Sequence, residues 1–257
     1  MPTALIVDDE PEANKLLSML VQLRGYTTSS AFTGEEALER IKREPPDVVL
    51  LDLMLPDING FQVCEAVKSR KDTTLIPVVM VTARVASENR AESYARGADH
   101  YVAKPYTPDQ IFEALDDTKR WRNRVLEHDW VAEGEILFVT NDEDKTQRKL
   151  GRLRSVLFAR TPLDIDSMKG LEEALRTLVS DAEAWGRRHH VSPIASLIYD
   201  VEPDSLFLTL QDLSGWIRDD PRPPSERWPE AVLPSRLDVV EDRRDQGIVT
   251  LVKRFKK

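Results

Sequence analysis

Short apolar runs punctuate the first part of the chain at sheet-like intervals: Ala4-Leu5-Ile6-Val7, Val48-Val49-Leu50-Leu51, Val78-Val79-Met80-Val81 and Tyr101-Val102-Ala103. Helix-patterned segments separate them, so they read as buried strands of a parallel sheet whose far ends converge. Each run stops at a residue able to do chemistry: Asp8 and Asp9, then Asp52, Thr82 and Lys104. An open α/β sheet builds its site at the C-terminal ends of its strands. Three carboxylates, a hydroxyl and an ammonium are therefore expected in one pocket.

The pattern changes after Pro108. A helix is expected there, with Ile111, Phe112 and Leu115 on its packed side and Asp109 in its first turn. Lys119 to Leu126 contains neither Gly nor Pro, so the helix extends toward Glu127 as a linker or ends as an ordinary frayed helix. Gly134 opens a second half with the strand-like Glu135 to Val139, then the capping sequence Thr140-Asn141-Asp142. Leu150, Leu153, Val156 and Leu157 follow at helical spacing. A second helix from near Ser167 carries Met168, Leu171, Leu175, Leu178, Ala182 and Trp185 on one face. Two strand-like runs, Ile194 to Val201 and Leu206 to Gln211, flank the turn Glu202-Pro203-Asp204-Ser205 and read as a hairpin. A proline-rich stretch from Arg218 to about Asp238 leads to a last helix or strand. The second half thus reads as a smaller α+β sandwich behind a doubly wound α/β domain. The boundaries expected are 1–120 for the first domain, 121–134 for a helical linker and 135–257 for the output domain.

At 257 residues with 41% hydrophobic content, the chain has material for two cores. Its 32% charged residues and lack of a long apolar run exclude a membrane span. Met1-Pro2-Thr3 runs straight into the first strand, so no signal peptide and a cytoplasmic location are expected. The net charge of −9 argues against non-specific binding to nucleic acid. The basic clusters at 119–122, 187–190 and 253–257 read mainly as solvated faces. The single cysteine, Cys64, has Phe61 and Val67 at helical spacing and reads as a packing residue. Four histidines show no metal-ligand spacing.

Clustered carboxylates repel unless a hard cation sits among them, and the cation that keeps water while engaging phosphate is Mg²⁺. A carboxylate can also attack a phosphoryl group, with a metal, a lysine and a hydroxyl neutralising the phosphoryl oxygens. Asp52 is the candidate nucleophile.

Residues 2 to about 120 resemble the receiver domain of bacterial two-component response regulators. The likeness rests on Val7-Asp8-Asp9-Glu10-Pro11, Asp52-Leu53-Met54-Leu55-Pro56-Asp57-Ile58-Asn59-Gly60, Val81-Thr82-Ala83-Arg84 and Lys104-Pro105. It implies a flavodoxin-like five-stranded parallel sheet. It also implies Mg²⁺ held by Asp8, Asp9, Asp52 and the Met54 carbonyl, with Asp52 taking a phosphoryl group from a histidine kinase or phosphotransfer protein. Thr82 and Lys104 would contact the phosphoryl group, and Tyr101 would switch inward with Thr82. Met54 and Arg84 would tune the lifetime of the acyl phosphate, and Pro105 would follow a cis bond that aims Lys104.

From about Glu135 to Phe255 the order of elements resembles the Bergerat-type ATPase fold of anti-sigma-factor serine kinases, with motifs that depart from the family. Glu173 and Thr177 would stand at its Glu-x-x-x-Asn motif, Asp212 and Gly215 at the adenine site, and Gly247 at the glycines beyond the lid. Ile248 to Val252 would be its closing helix. Thr177 replaces the metal-binding Asn, so a degenerate pseudo-ATPase serving as a protein-binding surface is expected. The alternative is a receiver-controlled ATP-dependent protein kinase. The partners expected are a phosphoryl donor and an unknown protein target of the C-terminal domain, with no DNA and no membrane. A homodimer through the receiver is compatible with this.

Overall fold

The computed structural model describes residues 1–83, 87–127, 133–139, 143–219 and 239–255. The chain divides into two units. Residues 1–129 with 151–159 make the first, and residues 130–150 with 160–257 make the second.

The first unit alternates strand and helix: β1 (Thr3–Val7), α1 (Pro11–Leu23), β2 (Thr27–Ala31), α2 (Gly34–Arg43), β3 (Val48–Leu51), α3 (Gly60–Lys68), β4 (Val78–Thr82), α4 (Ser87–Ala95), β5 (His100–Ala103) and α5 (Pro108–Glu127). Its five strands are all parallel in the order β2-β1-β3-β4-β5. Successive side chains of a strand face opposite ways, so β1 sends Leu5 and Val7 into one apolar layer and Ala4 and Ile6 into the other. The four apolar runs are β1, β3, β4 and β5. The fifth strand, β2, has the sequence Thr27-Thr28-Ser29-Ser30-Ala31 and no apolar run, and its Thr27 and Ser29 are open to water.

Local signals set the helix starts. Pro11 occupies the first turn of α1, where its missing N–H is no loss. The Thr33 hydroxyl accepts from Glu36 N at the start of α2, and Asn59 with Gln62 forms a capping box at α3. Helix α5 runs unbroken to Glu127, while the rest of the stretch expected as a linker, 128–132, lies outside the described residues.

The second unit carries β6 (Glu133–Val139), the first part of α6 (Glu143–Arg160), α7 (Ile165–His189), β7 (Ile194–Val201), β8 (Ser205–Asp212), the short α8 (Trp216–Asp219), β9 (Val239–Arg243) and β10 (Ile248–Arg254). The strands form one antiparallel sheet in the order β6-β7-β8-β10-β9. The expected hairpin is β7–β8. Helix α7 buries Met168, Leu171, Leu175, Leu178, Ala182 and Trp185, the stripe read from the sequence, together with Ala174. Ile248 to Val252 is a strand, not the closing helix of an ATPase. Its alternation of half-buried Ile248 and Thr250 with buried Val249 and Leu251 has the period of a strand. The capping sequence 140–142 and most of the proline-rich stretch, 220–238, lie outside the described residues. Among the described residues no helix is long and apolar enough to cross a membrane.

Candidate functional site

Strand β1 leads directly into Asp8, β3 into Asp52 and β5 into Lys104, so the parallel sheet delivers all three to one edge. Asp8 and Asp52 are almost fully buried, at 2% and 6% exposure. The Lys104 ammonium bridges them, 2.7 Å from Asp8 Oδ2 and 2.5 Å from Asp52 Oδ2. Burial acts to lower the lysine pKa, but the hydrogen bonds and charges of Asp52 and Asp8 overcome it and hold Lys104 above its ordinary value. The remaining oxygens accept backbone N–H groups: Asp8 Oδ1 from Glu10 at 3.1 Å, and Asp52 Oδ1 from Met54 at 3.1 Å. Lys104-Pro105 is a cis bond.

The other residues expected in this pocket are placed as follows. Thr82 is fully buried at the end of β4. Asp9 is exposed beside Asp8. Met54 is 51% exposed. Tyr101 is buried, with the Arg90 guanidinium 5.3 Å from its ring centroid. Burial raises the Tyr101 pKa, Arg90 opposes this, and the Asp52 charge adds to it. The position of Arg84 lies outside the described residues.

The donors suit a hard divalent cation: two buried carboxylates share one ammonium, which leaves net negative charge among oxygen ligands. Among the described residues, no three acidic, histidine or cysteine side chains converge on one point as a ready-made metal cage.

Three supporting features escaped the sequence reading. Asn14, buried on the inner stripe of α1, donates to the carbonyls of Ile6, Asp8 and Ala31 at 3.2, 3.4 and 3.3 Å, fixing the end of β1. A polar residue on a buried helical stripe was the available signal. Tyr106 is half-buried beside the pocket. Burial raises its phenol pKa first of all, with Lys104 opposing and Asp8 and Asp52 adding to the rise. Asp57, in the loop after Asp52, accepts Gly34 N and Glu35 N at 2.8 Å each and so caps α2. Burial pushes its pKa up, but the N–H groups of Glu35, Gly34 and Ile58 outweigh that and bring it down to about 2. The loop itself is closed by Gly60, whose N donates to Leu53 O at 3.0 Å. A Cβ at Gly60 would lie 2.2 Å from the Asp52 carbonyl oxygen. Cys64 is buried, and burial drives its thiol up to about 12, consistent with packing rather than reaction.

The residues proposed for a nucleotide site in the second unit do other work. Asp212 accepts N–H bonds from Ser214, Gly215 and Ile217 at 2.7–2.8 Å, so its carboxylate caps the short α8. Gly247 lies beside it, its carbonyl accepting Asp212 N at 2.8 Å. Glu173 is on the exposed side of α7, away from the packed stripe, and the Thr177 hydroxyl donates to the Glu173 carbonyl at 2.9 Å. Asp212 and Gly215 thus share the turn after β8, and the β8–β10 pairing brings Gly247 beside them.

Comparison with known proteins fits the first unit. Residues 4–116 match the family model of the response regulator receiver domain. The probable transcriptional regulator ycf27 of Guillardia theta is 34% identical over 146 residues, 56% of this chain and 56% of its own length. The DNA-binding response regulator MtrA of Mycolicibacterium smegmatis is 29% identical over 189 residues, 72% of this chain and 78% of its own. The chain spans about half the length of ycf27 of G. theta and 43% of ycf27 of Porphyridium aerugineum. The crystal structure of a putative response regulator from Chloroflexus aurantiacus is 32% identical and covers 46% of this chain and 96% of that one, with a TM-score of 0.44.

Residues 4–116 are therefore a two-component response-regulator receiver domain. The expectation of no DNA binding is withdrawn, since matching relatives are named as DNA-binding regulators. The physical reason is that a net charge of −9 is a sum over the whole chain, whereas phosphate contact needs only one local basic face.

Proposed function

We propose that the chain is a phosphorylation switch in which Asp52 accepts a phosphoryl group from a histidine kinase or phosphotransfer protein in the cytoplasm. The observation that carries this reading is the Lys104 ammonium shared by the buried Asp8 and Asp52 carboxylates at the end of a parallel sheet. Asp8, Asp9, Asp52 and the Met54 carbonyl would hold Mg²⁺, which supplies charge neutralisation for an anionic donor. The chain's own residues do the rest. The Asp52 carboxylate presents the attacking oxygen, Lys104 balances the charge that gathers on the phosphoryl oxygens, and the Thr82 hydroxyl donates to one of them. The Met54 and Arg84 side chains screen the product from water, and Thr82 with Tyr101 reports its presence. Incubation of the full chain with acetyl phosphate and Mg²⁺ should label it at one site. Asp52→Asn should abolish the label, and undiminished labelling of that variant would refute the assignment.

For the output, the names of the relatives bring DNA to this chain as a partner. Similarity to MtrA extends over 189 residues, beyond residues 4–116 and into the second unit. Fluorescence anisotropy with a pool of genomic fragments should show saturable binding that weakens steeply with salt, and flat titrations at low salt would sink this output. A protein target is the second reading, supported by Ile194 and Ile198, which are exposed on one face of β7 on either side of the buried Ser196. A nucleotide-dependent kinase finds no support in the placement of Glu173, Thr177 and Asp212. In place of it we infer a domain of ATPase-like element order without nucleotide binding, for which Mg·ATP titration should give no saturable heat.

A further inference from the structure

One edge of the parallel sheet is open and lacks the usual protection. Strand β2 ends the order β2-β1-β3-β4-β5, and among the described residues no strand pairs with its far side. Thr27 N donates to Pro2 O and Ala31 O accepts from Asp8 N, so the backbone groups of Thr27, Ser29 and Ala31 turn toward β1. Backbone groups alternate in direction along a parallel strand, and Thr28 and Ser30 therefore aim their N–H and C=O groups outward. Their side chains are held on the α1 face: Thr28 Oγ1 accepts from Gln22 Nε2 at 2.8 Å, and Ser30 Oγ donates to Asn14 Oδ1 at 2.6 Å. Edge strands are commonly blunted by a charge, a proline or a bulge. Residues 27–31 carry none of these and keep an unbroken register with β1.

Helix α2 borders the same edge. It packs over β1 and β2, and a groove of about 450 Å³ opens beside it, its lining including Thr27, Ser29, Glu36, Glu39, Arg40 and Arg43. The charges on this rim run in order along the helix, with Glu36 and Glu39 first and Arg40 and Arg43 after them. Glu36 pairs with Arg40 at 2.9 Å, whereas Glu39 and Arg43 are exposed and in no ion pair among the described residues. A helix that is acidic at one end and basic at the other complements a copy of itself turned about a two-fold axis.

We propose that β2 and α2 form a self-association face on which a second copy of this chain adds its own β2, antiparallel, about a two-fold axis at Ser29. The outward groups dictate the register. Thr28 exchanges both backbone hydrogen bonds with the partner's Ser30, Ser30 does so with the partner's Thr28, and Ser29 faces the partner's Ser29 as the pair without bonds. Strands lie about 4.8 Å apart, so two helices each seated over an outer pair of strands come to lie about 10 Å from one another, the spacing of packed helices. Each helix then closes the groove beside the other, with Glu39 of each copy facing the partner's Arg43. The face shares no residue with the Asp8, Asp52 and Lys104 site, so the inference stands apart from the phosphoacceptor role.

Sedimentation equilibrium of the full chain, read beside amide exchange by NMR, tests it. The wild type should give a reversible monomer–dimer mixture. The Thr28 and Ser30 amides should slow about tenfold once roughly nine-tenths of the chain is dimeric, since only the monomer exposes them, while β4 amides keep their rate. Glu39→Arg, and independently Arg43→Glu, should weaken association about tenfold, because each sets like charges together at both symmetric contacts. The double variant Glu39→Arg with Arg43→Glu should restore it, because the exchanged charges still face each other. Thr28→Pro should abolish the dimer by removing an outward N–H at a position where an edge strand tolerates proline. If that variant does not fold, the charge variants, all at exposed positions, still decide. A chain that stays monomeric up to its solubility limit overturns the proposal. So does a dimer in which the Thr28 and Ser30 amides exchange at the monomer rate, since it would use another face, and so does a double variant that associates no better than the single ones.

Discussion

The two sheets of this protein place polar residues in opposite ways. In the parallel sheet of the first unit, Asp8, Asp52 and Lys104 follow strand ends that all point one way, so side chains far apart in sequence meet. In the antiparallel sheet of the second unit, neighbouring strands end at opposite edges, and the polar residues at their ends serve local turns. Asp212 is typical: its carboxylate accepts the N–H groups of Ser214, Gly215 and Ile217, all within the next five residues. A carboxylate at a strand end is thus evidence of chemistry only when the topology gathers others beside it.

The largest expected effect separates the two units by stability. Leu206 is fully buried on β8, and Leu206→Ala should destabilise the second unit by about 2–5 kcal/mol. Hydrogen exchange of the β7 and β8 amides would show it, while labelling of Asp52 by acetyl phosphate stays within twofold of the wild type. Loss of labelling in that variant would break the separation. The converse change is Lys104→Met, which should cut the labelling rate on the order of 100-fold while leaving β7–β8 protection unchanged. Retention of the wild-type rate would show that the shared ammonium is a structural pair only.

A smaller effect tests the capping role of Asp212. Asp212→Ala should cost about 1–2 kcal/mol in urea unfolding, the size of a lost helix cap, and should leave any heat of Mg·ATP mixing unchanged. A change in nucleotide response would restore a binding role to the turn. The smallest concerns Asp57. Its folded pKa of about 2 lies below the ordinary carboxylate value, so the stability it contributes is present above that ordinary value and is lost as pH falls toward 2. Protection of the α2 amides should decline over this acid range in the wild type and lose that dependence in Asp57→Asn. An unaltered acid profile in the variant would assign the decline to other carboxylates.

The same contrast explains what the sequence made legible. The strands buried on both faces announce themselves as unbroken apolar runs, and the acceptor, its acidic neighbours and the lysine stand at their ends. Edge strand β2 gave no such sign, since Thr27 and Ser29 face water. Likewise, β10 presents a short apolar pattern that fits helix or strand, and only its pairing with β8 and β9 decides. Glu173 and Thr177 sat at a suggestive spacing, yet the packed stripe of α7 turns Glu173 outward and leaves Thr177 half-exposed at its flank. Asn14 and Asp57 act through backbone groups that no side-chain motif displays. The charges around Asp99 join positions as distant as 68 and 152, which only the folded chain relates.

Gly60 offers a way to sort natural variants of this domain. Because a Cβ there would fall 2.2 Å from the carbonyl oxygen of Asp52, a homologue with any other residue at this position must have re-routed the strand that presents its acceptor. Position 60 is then a marker for intact site geometry that can be read without measuring activity. A chain that keeps Asp8, Asp52 and Lys104 but lacks this glycine would carry the reactive groups on a misaligned frame, and counting acidic motifs alone would misfile it as a working switch.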